Sequence, residues 1–304
     1  MEDSRPSEPM APLPSKELLI PMEAFETLNG VYKSQQKEER MKKVAVVSQK
    51  GGVGKTTTAV SLAAALAEAG WRVLIVDLDA QGTASDWLGL TVEGEGRRLL
   101  ETLTSGGNLE DLVAPSATAG VDGIAAGFEL MGFERATAGD VGTEFLLKNA
   151  VKNLPQRWDL VLFDCPRSLE RIGVNALAAA DHALVPVELN FPSLKPLAHL
   201  VQLVEQVKAR LNPQLEVLGV LGCLMDGRKN HPKDVFELLR KHFGALVFES
   251  TIRDSVRFSE ASAKSLPITS YDPHGIGSAD YRAFAAEFAE RLGVRLVQKA
   301  VVNG

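Results

Sequence analysis

Three short stretches of this chain bring lysines, glycines, a hydroxyl and carboxylates together in an order suited to phosphate chemistry. The first is Ser48-Gln49-Lys50-Gly51-Gly52-Val53-Gly54-Lys55-Thr56-Thr57-Thr58. Its glycines let backbone N–H groups turn inward around phosphate oxygens, at the positive end of the helix expected to follow. Lys55 is spaced to reach the β and γ phosphates and Thr56 Oγ to ligate Mg²⁺, with Gly51, Gly52, Val53, Gly54 and Thr57 completing the cradle. The ordinary phosphate loop, G-x-x-x-x-G-K-[ST], would need glycine where Gln49 stands and has no use for a second lysine at Lys50. A plain glycine turn with exposed lysines is the alternative.

The second stretch is Asp77-Leu78-Asp79-Ala80-Gln81-Gly82. Carboxylates beside a triphosphate repel it unless they serve the metal or the attacking water, so two of them near a phosphate loop carry information. A surface turn is the bland reading. The third stretch, Trp158 to Pro166, is an apolar run ending in Asp164, an acid suited to holding Mg²⁺ through water. Taken alone, a terminal Asp fits an ordinary turn equally well.

These residues need strands and helices to position them. "VAVVS" (44–48) and "VLIVD" (73–77) read as strands around the helical "TTAVSLAAALAEAG", which Gly70 ends. Further strands read at 160–164, 182–188 and 215–223, with helices near 168–180, 194–211, 231–243 and 278–292. Apolar β-branched runs without alternation predict strands buried on both faces. The expected fold class is therefore α/β: a doubly wound, mostly parallel sheet with helices on both faces. In such sheets ligands bind beyond the carboxyl ends of the strands, where all three stretches lie. Residues 91–142, rich in glycine and alanine, read as peripheral helices and loops. Residues 1–41 carry Pro6, Pro9, Pro12, Pro14 and Pro21 and read as a flexible or partly helical extension, or as a docking segment; residues 42–304 form the catalytic domain.

Bulk composition narrows the class. The 304 residues are 45% hydrophobic and 24% charged, enough for a substantial core, and a net charge of -6 argues against a protein that coats nucleic acid over its whole surface. Cys165 and Cys223 stand far apart with no C-x-x-C, so neither a disulfide framework nor a cysteine-bound metal is expected. The acidic, proline-rich start and the lack of a long apolar run predict a cytoplasmic protein.

K-G-G-V-G-K-T-T (50–57), V-D-L-D-A-Q-G (76–82) and F-D-C-P-R-S-L (163–169) resemble the deviant Walker A ATPases of the ParA/MinD type, a branch of the P-loop NTPases. "VNALAAADHALVPVE", "VRFSEASAKSLPI" and "YDPHGIGSADYRAFAAEF" extend the resemblance toward Soj-like partition proteins over residues 43–292. The resemblance implies ATP and Mg²⁺ as cofactors, with Thr56, Asp77 and Asp164 serving the metal. It also implies catalytic roles for Lys50, Lys55 and Asp79. Lys50 would reach across a nucleotide sandwich homodimer to the partner's phosphates, Asp79 would position or activate the attacking water, and Asp77 would support the metal or the switch loop. The chain departs from the family pattern in two places: Arg167 stands where a second proline is common, and near Asn190 and Pro196 the family usually has a glutamate and a small residue.

Residues 225–264 hold eight basic against six acidic side chains in an otherwise acidic chain. By charge alone this is a solvated face. The resemblance makes it a site for non-specific double-stranded DNA, with Arg228, Lys229, Arg253, Arg257 and Lys264 as candidate contacts, a ParB-like activating partner, and a nucleoid-associated location. Two alternatives are a membrane-cycling relative like MinD, for which Arg291, Arg295 and Lys299 would line an amphipathic tail, and a nucleotide-binding scaffold with little hydrolysis. Membrane binding is not expected: such a tail more often packs on its own domain.

Overall fold

The computed structural model describes residues 41–90, 94–225 and 231–294. Eight strands form one sheet: β1 Lys42–Val46, β2 Val73–Asp77, β3 Ala114–Pro115, β4 Val121–Ile124, β5 Leu160–Asp164, β6 His182–Glu188, β7 Glu216–Met225 and β8 Val247–Arg253. Their order is β3-β4-β2-β5-β1-β6-β7-β8, parallel throughout except for the antiparallel β3–β4 pair. Every residue of β2 and β5 is buried, as non-alternating runs of Val, Leu, Ile and Phe require when helices cover both faces.

Eleven α-helices lie among the described residues: α1 Lys55–Glu68, α2 Thr83–Trp87, α3 Glu95–Ser105, α4 Phe133–Ala136, α5 Leu146–Lys152, α6 Arg171–Ala179, α7 Leu194–Arg210, α8 His231–Phe243, α9 Arg257–Ala263, α10 Ile268–Tyr271 and α11 Ile276–Arg291. The chain runs from β1 through α1 toward β2 in one direction across the sheet, and from β5 through α6, α7 and α8 to β8 in the other. Right-handed crossovers in opposite directions put α1 on one face and α6–α8 on the other. The α1 face is closed by α11: Phe248 of β8 and Phe284 of α11 meet edge to face at 4.9 Å, and Thr58 and Tyr281 share a buried hydrogen bond of 3.2 Å.

The expected doubly wound sheet is present, with differences at several strands; β7 runs two residues further than expected. β1 begins two residues earlier than expected, which leaves Ser48 in the loop. Residues 91–142, expected as peripheral, supply β3 and β4, and β4 pairs in parallel with β2. β4 is only four residues long and contains Gly123, against which Leu90 packs so closely that a Cβ would collide with it; so short a run carries no periodic signal. β8 goes unread because its sequence, VFESTIR, mixes charged and apolar residues, as suits the strand at the sheet edge.

Candidate functional site

The parallel register sets the site's frame. β5 lies between β1 and β2, pairing Val46 with Asp164 and Asp77 with Asp164, so the carboxyl ends of the three strands are level. The phosphate-type loop leaves β1 here and enters α1 through Gly54, whose φ of 88° is left-handed and suits glycine; Gly52 (φ 76°) is a second such turn. Val53 is buried and anchors the loop, while Gly51, Gly54, Thr56 and Thr57 are half-buried and Gly52 is exposed. No acidic residue occupies the first turn of α1, so the positive end of its dipole is uncompensated there.

Lys55 and Thr56 converge on Asp164. Lys55 Nζ is 3.2 Å from Asp164 Oδ1, and Thr56 Oγ1 donates to Oδ2 at 2.8 Å. Asp164 is completely buried. Burial pushes its carboxyl above the usual carboxylate range, opposed by Lys55 and by the hydrogen bond from Thr56. For Lys55, burial pulls downward, but the attraction of Asp164 prevails and its pKa is raised.

Asp77 is buried beside Asp164. Its Oδ2 accepts from the Ser85 N–H at 2.9 Å and hydroxyl at 2.7 Å, and its Oδ1 accepts from the Asp79 N–H at 3.0 Å. Burial first, and the neighbouring Asp164 charge second, push its carboxyl up to about 7. Ser85 in turn accepts from the Ala126 N–H at 2.9 Å, tying the segment after β4 to the same carboxylate. Asp77 is thus placed to hold the loop after β2. Half-buried Asp79 lies at the start of that loop and caps it, accepting from Gln81 N–H at 3.0 Å.

Two buried carboxylates with raised proton affinity mark a site short of positive charge, and a divalent cation would supply it. Thr56 Oγ1 and Asp164 are the groups that would hold one. One hydroxyl and one carboxylate would leave the rest of the coordination to water and phosphate. That matches Mg²⁺, which keeps several waters and takes phosphate oxygens.

Lys50 lies on the opposite rim, and within this single chain it is folded back. Its Nζ contacts Glu188 Oε2 at 2.5 Å, Ser193 Oγ at 3.2 Å and Asn190 Oδ1 at 3.3 Å. Asn190 also accepts from the Ser193 N–H at 3.1 Å and hydroxyl at 2.6 Å, which organises the entry into α7. Pro196 falls in the first turn of α7, where proline is tolerated because its missing N–H would have no helical partner. Asn190 therefore shapes the seat of Lys50, and Pro196 stands in the first turn of α7. Arg167, the other departure, lies against Gly51: a Cβ there would come within 2.9 Å of its guanidinium Nε and Nη1.

The candidate DNA contacts are scattered by comparison. Arg228 and Lys229 lie outside the described residues. Arg253 ends β8 and is bound by Asp280 of α11, its Nε to Oδ2 at 3.0 Å and its Nη2 to Oδ1 at 2.5 Å. Arg257 pairs with Glu260 at 2.8 Å, and Lys264 is exposed just after α9. Of the tail, Arg291 is committed inward: it stacks 3.8 Å over the Phe248 ring and donates to the carbonyls of Leu218, Leu246 and Val247. It is not part of a lipid-facing stripe. Arg295 and Lys299 lie outside the described residues. No described helix is long and apolar enough to cross a membrane, and Cys165 and Cys223 are buried free thiols.

Sequence reasoning missed Ser85 and Glu188. Ser85 gives no sequence signal, since nothing local marks its bond to Asp77. Glu188 does: it is the last residue of β6, as Asp77 and Asp164 are the last of β2 and β5.

A protein-family profile described as "AAA domain" matches residues 41–217. The chain is 41% identical over 256 residues to the chromosome-partitioning ATPase Soj of Thermus thermophilus, covering 83% of this chain and 97% of that protein. It is 36% identical over 246 residues to the sporulation initiation inhibitor protein Soj of Bacillus subtilis, covering 81% and 97%. Among solved structures it resembles cobyrinic acid a,c-diamide synthase from Mycobacterium smegmatis with bound ADP and magnesium: TM-score 0.73, 29% identity, covering 86% of this chain and 99% of that one.

Proposed function

The chain belongs to the ParA/Soj family of chromosome-partitioning ATPases, and on that premise we propose that it is an ATP-dependent dimerising ATPase that binds duplex DNA without sequence preference. A ParB-like partner stimulates it, residues 42–304 are its ATPase domain, and its cargo is a chromosome, plasmid or other large body. The observation that carries this reading is the convergence of Lys55 and Thr56 on buried Asp164 at the uncompensated N-terminus of α1.

When nucleotide enters, Lys55 exchanges Asp164 for the β and γ phosphates, and Thr56 and Asp164 are the residues that would hold Mg²⁺. Held there, Mg²⁺ would supply positive charge to the phosphate oxygens. Asp79, on the loop that Asp77 and Ser85 secure, orients the attacking water. Lys50 leaves Glu188 and reaches the phosphates of the partner subunit, adding a cation where charge develops and linking hydrolysis to dimerisation. Dimerisation doubles the number of basic contacts to DNA phosphates, so the nucleotide state switches DNA affinity.

The test is fluorescence anisotropy on a random-sequence duplex at low salt, with sedimentation to report the dimer. ATP-loaded protein should dimerise and bind the duplex more tightly than ADP-loaded protein. Equal binding in both states, or pelleting with anionic vesicles while ignoring DNA, would refute the proposal.

A further inference from the structure

Arg167 follows Asp164 by three residues, in the connection between β5 and α6. Its side chain lies along the phosphate loop: Cδ, Nε and Nη1 come within 2.8, 2.9 and 2.9 Å of where a Cβ on Gly51 would stand. Only a glycine leaves room for it in this pose.

The guanidinium is exposed and makes no hydrogen bond or ion pair among the described residues. Arg171, four residues further on, differs sharply: Glu134, Thr137 and Thr143 all engage it. An arginine held against a loop that already carries Lys50 and Lys55 gains nothing from its protein surroundings. What would favour it there is an anion, and the planar fork of its N–H donors matches a phosphate in two-pronged fashion. Pyrophosphate belongs at the N-terminus of α1, beside Lys55 and Thr56. Arg167 instead reaches the loop at Gly51, four residues before Lys55, from the segment that follows Asp164.

We propose that Arg167 contacts the terminal phosphate of the nucleotide held by its own chain. This rests on the reading of the loop as an ATP site. Because Arg167 is linked to Asp164 through only Cys165 and Pro166, gain or loss of that phosphate is transmitted directly to the start of α6. The residue that departs from the family pattern thereby becomes a sensor of the nucleotide state.

The experiment compares the full-length protein with Arg167→Ala and Arg167→Lys, at concentrations where sedimentation shows monomer. Affinities for Mg²⁺-ADP and for a non-hydrolysable ATP analogue are measured by competition against a fluorescent ADP. Arg167→Ala should weaken the ATP analogue by about tenfold or more and ADP by less than about twofold, since one charge-assisted contact is lost. Arg167→Lys should fall between. An unchanged ATP-to-ADP ratio in both variants overturns the proposal, as does a ratio that changes only where dimer is present, which would place Arg167 on the partner's nucleotide. If the parent protein binds neither nucleotide, the ATP-site reading itself fails, a distinguishable result. Should Arg167→Ala lose its cooperative thermal transition, the Arg167→Lys ratio decides.

Discussion

Lys50 occupies a seat in its own chain that it would leave in the proposed dimer to serve the partner, and Glu188 is the charged part of that seat. Replacing Glu188 by Gln keeps the shape and removes the charge. The contact is 2.5 Å long, with the two side chains 32% and 30% exposed, so solvent screens it in part. A charge-assisted hydrogen bond is worth about 1.5–3 kcal/mol when protected, and a fully exposed ion pair less than about 1 kcal/mol. An intermediate figure of about 1–2 kcal/mol per protomer fits this exposure. A neutral acceptor retains about half of it. Glu188→Gln should therefore relieve about 0.5–1 kcal/mol in each of two protomers, tightening the ATP dimer by about 5- to 30-fold. The assay is sedimentation equilibrium with Mg²⁺-ATP in an Asp79→Ala background, where hydrolysis is blocked and the dimer is expected to persist. Repeating it at raised salt separates the loss of the seat from a general reduction in repulsion between acidic subunits. Ser193→Ala, which removes a second contact to Lys50 at 3.2 Å, should act in the same direction more weakly. An unchanged or weaker dimer in both variants would refute the idea that the seat competes with dimerisation.

Asp77 makes the nucleotide-free protein sensitive to pH. Its carboxyl rises from 3.8 to about 7 on folding, so below pH 4 it carries a proton in both states. Between pH 4 and 7 only the unfolded chain ionises freely, and stability falls by about 1.4 kcal/mol per pH unit, about 4 kcal/mol in all. Asp77→Asn removes this loss at the cost of an acceptor for Ser85 or Asp79, so the unfolding free energy from urea titrations should move in its favour by about 2–3 kcal/mol between pH 5 and 7.5; parallel pH profiles would contradict this. Lys55→Ala should abolish nucleotide binding in titration calorimetry. It should also destabilise the free protein by about 3 kcal/mol at neutral pH by leaving Asp164 buried without its cation, and by less as falling pH lets protonation remove that uncompensated charge. Arg253→Ala should lower the salt dependence of DNA binding by about one counterion per protomer if Arg253 exchanges Asp280 for a phosphate, and leave it unchanged if Arg253 serves only to fasten β8 to α11.

Much of the architecture was legible because it depends on runs of residues. β2, β5 and β6 were read with their observed ends, since uninterrupted Val, Leu and Ile bounded by polar residues leave little choice of register. β4 and β8 were not, because one owes its place to Gly123 fitting beneath Leu90 and the other to an edge position that tolerates Glu249 and Arg253. The basic stretch shows the limit of counting charges: Arg253 and Arg257 each meet an acid, which a tally of eight against six does not reveal.

The sequence by itself determined the phosphate loop, the carboxylates at strand ends and the family, because those depend on residue types within a few positions of one another. Only the tertiary structure decided how the charges are shared. Lys55 meets a carboxylate 109 residues away and Lys50 one 138 residues away, and Arg167 comes to rest on Gly51. Those pairings follow from strand order, which places β5 beside β1 on one side and β6 on the other. Electrostatic energy falls with distance in space, so a site's charge balance is set by the sheet that assembles it.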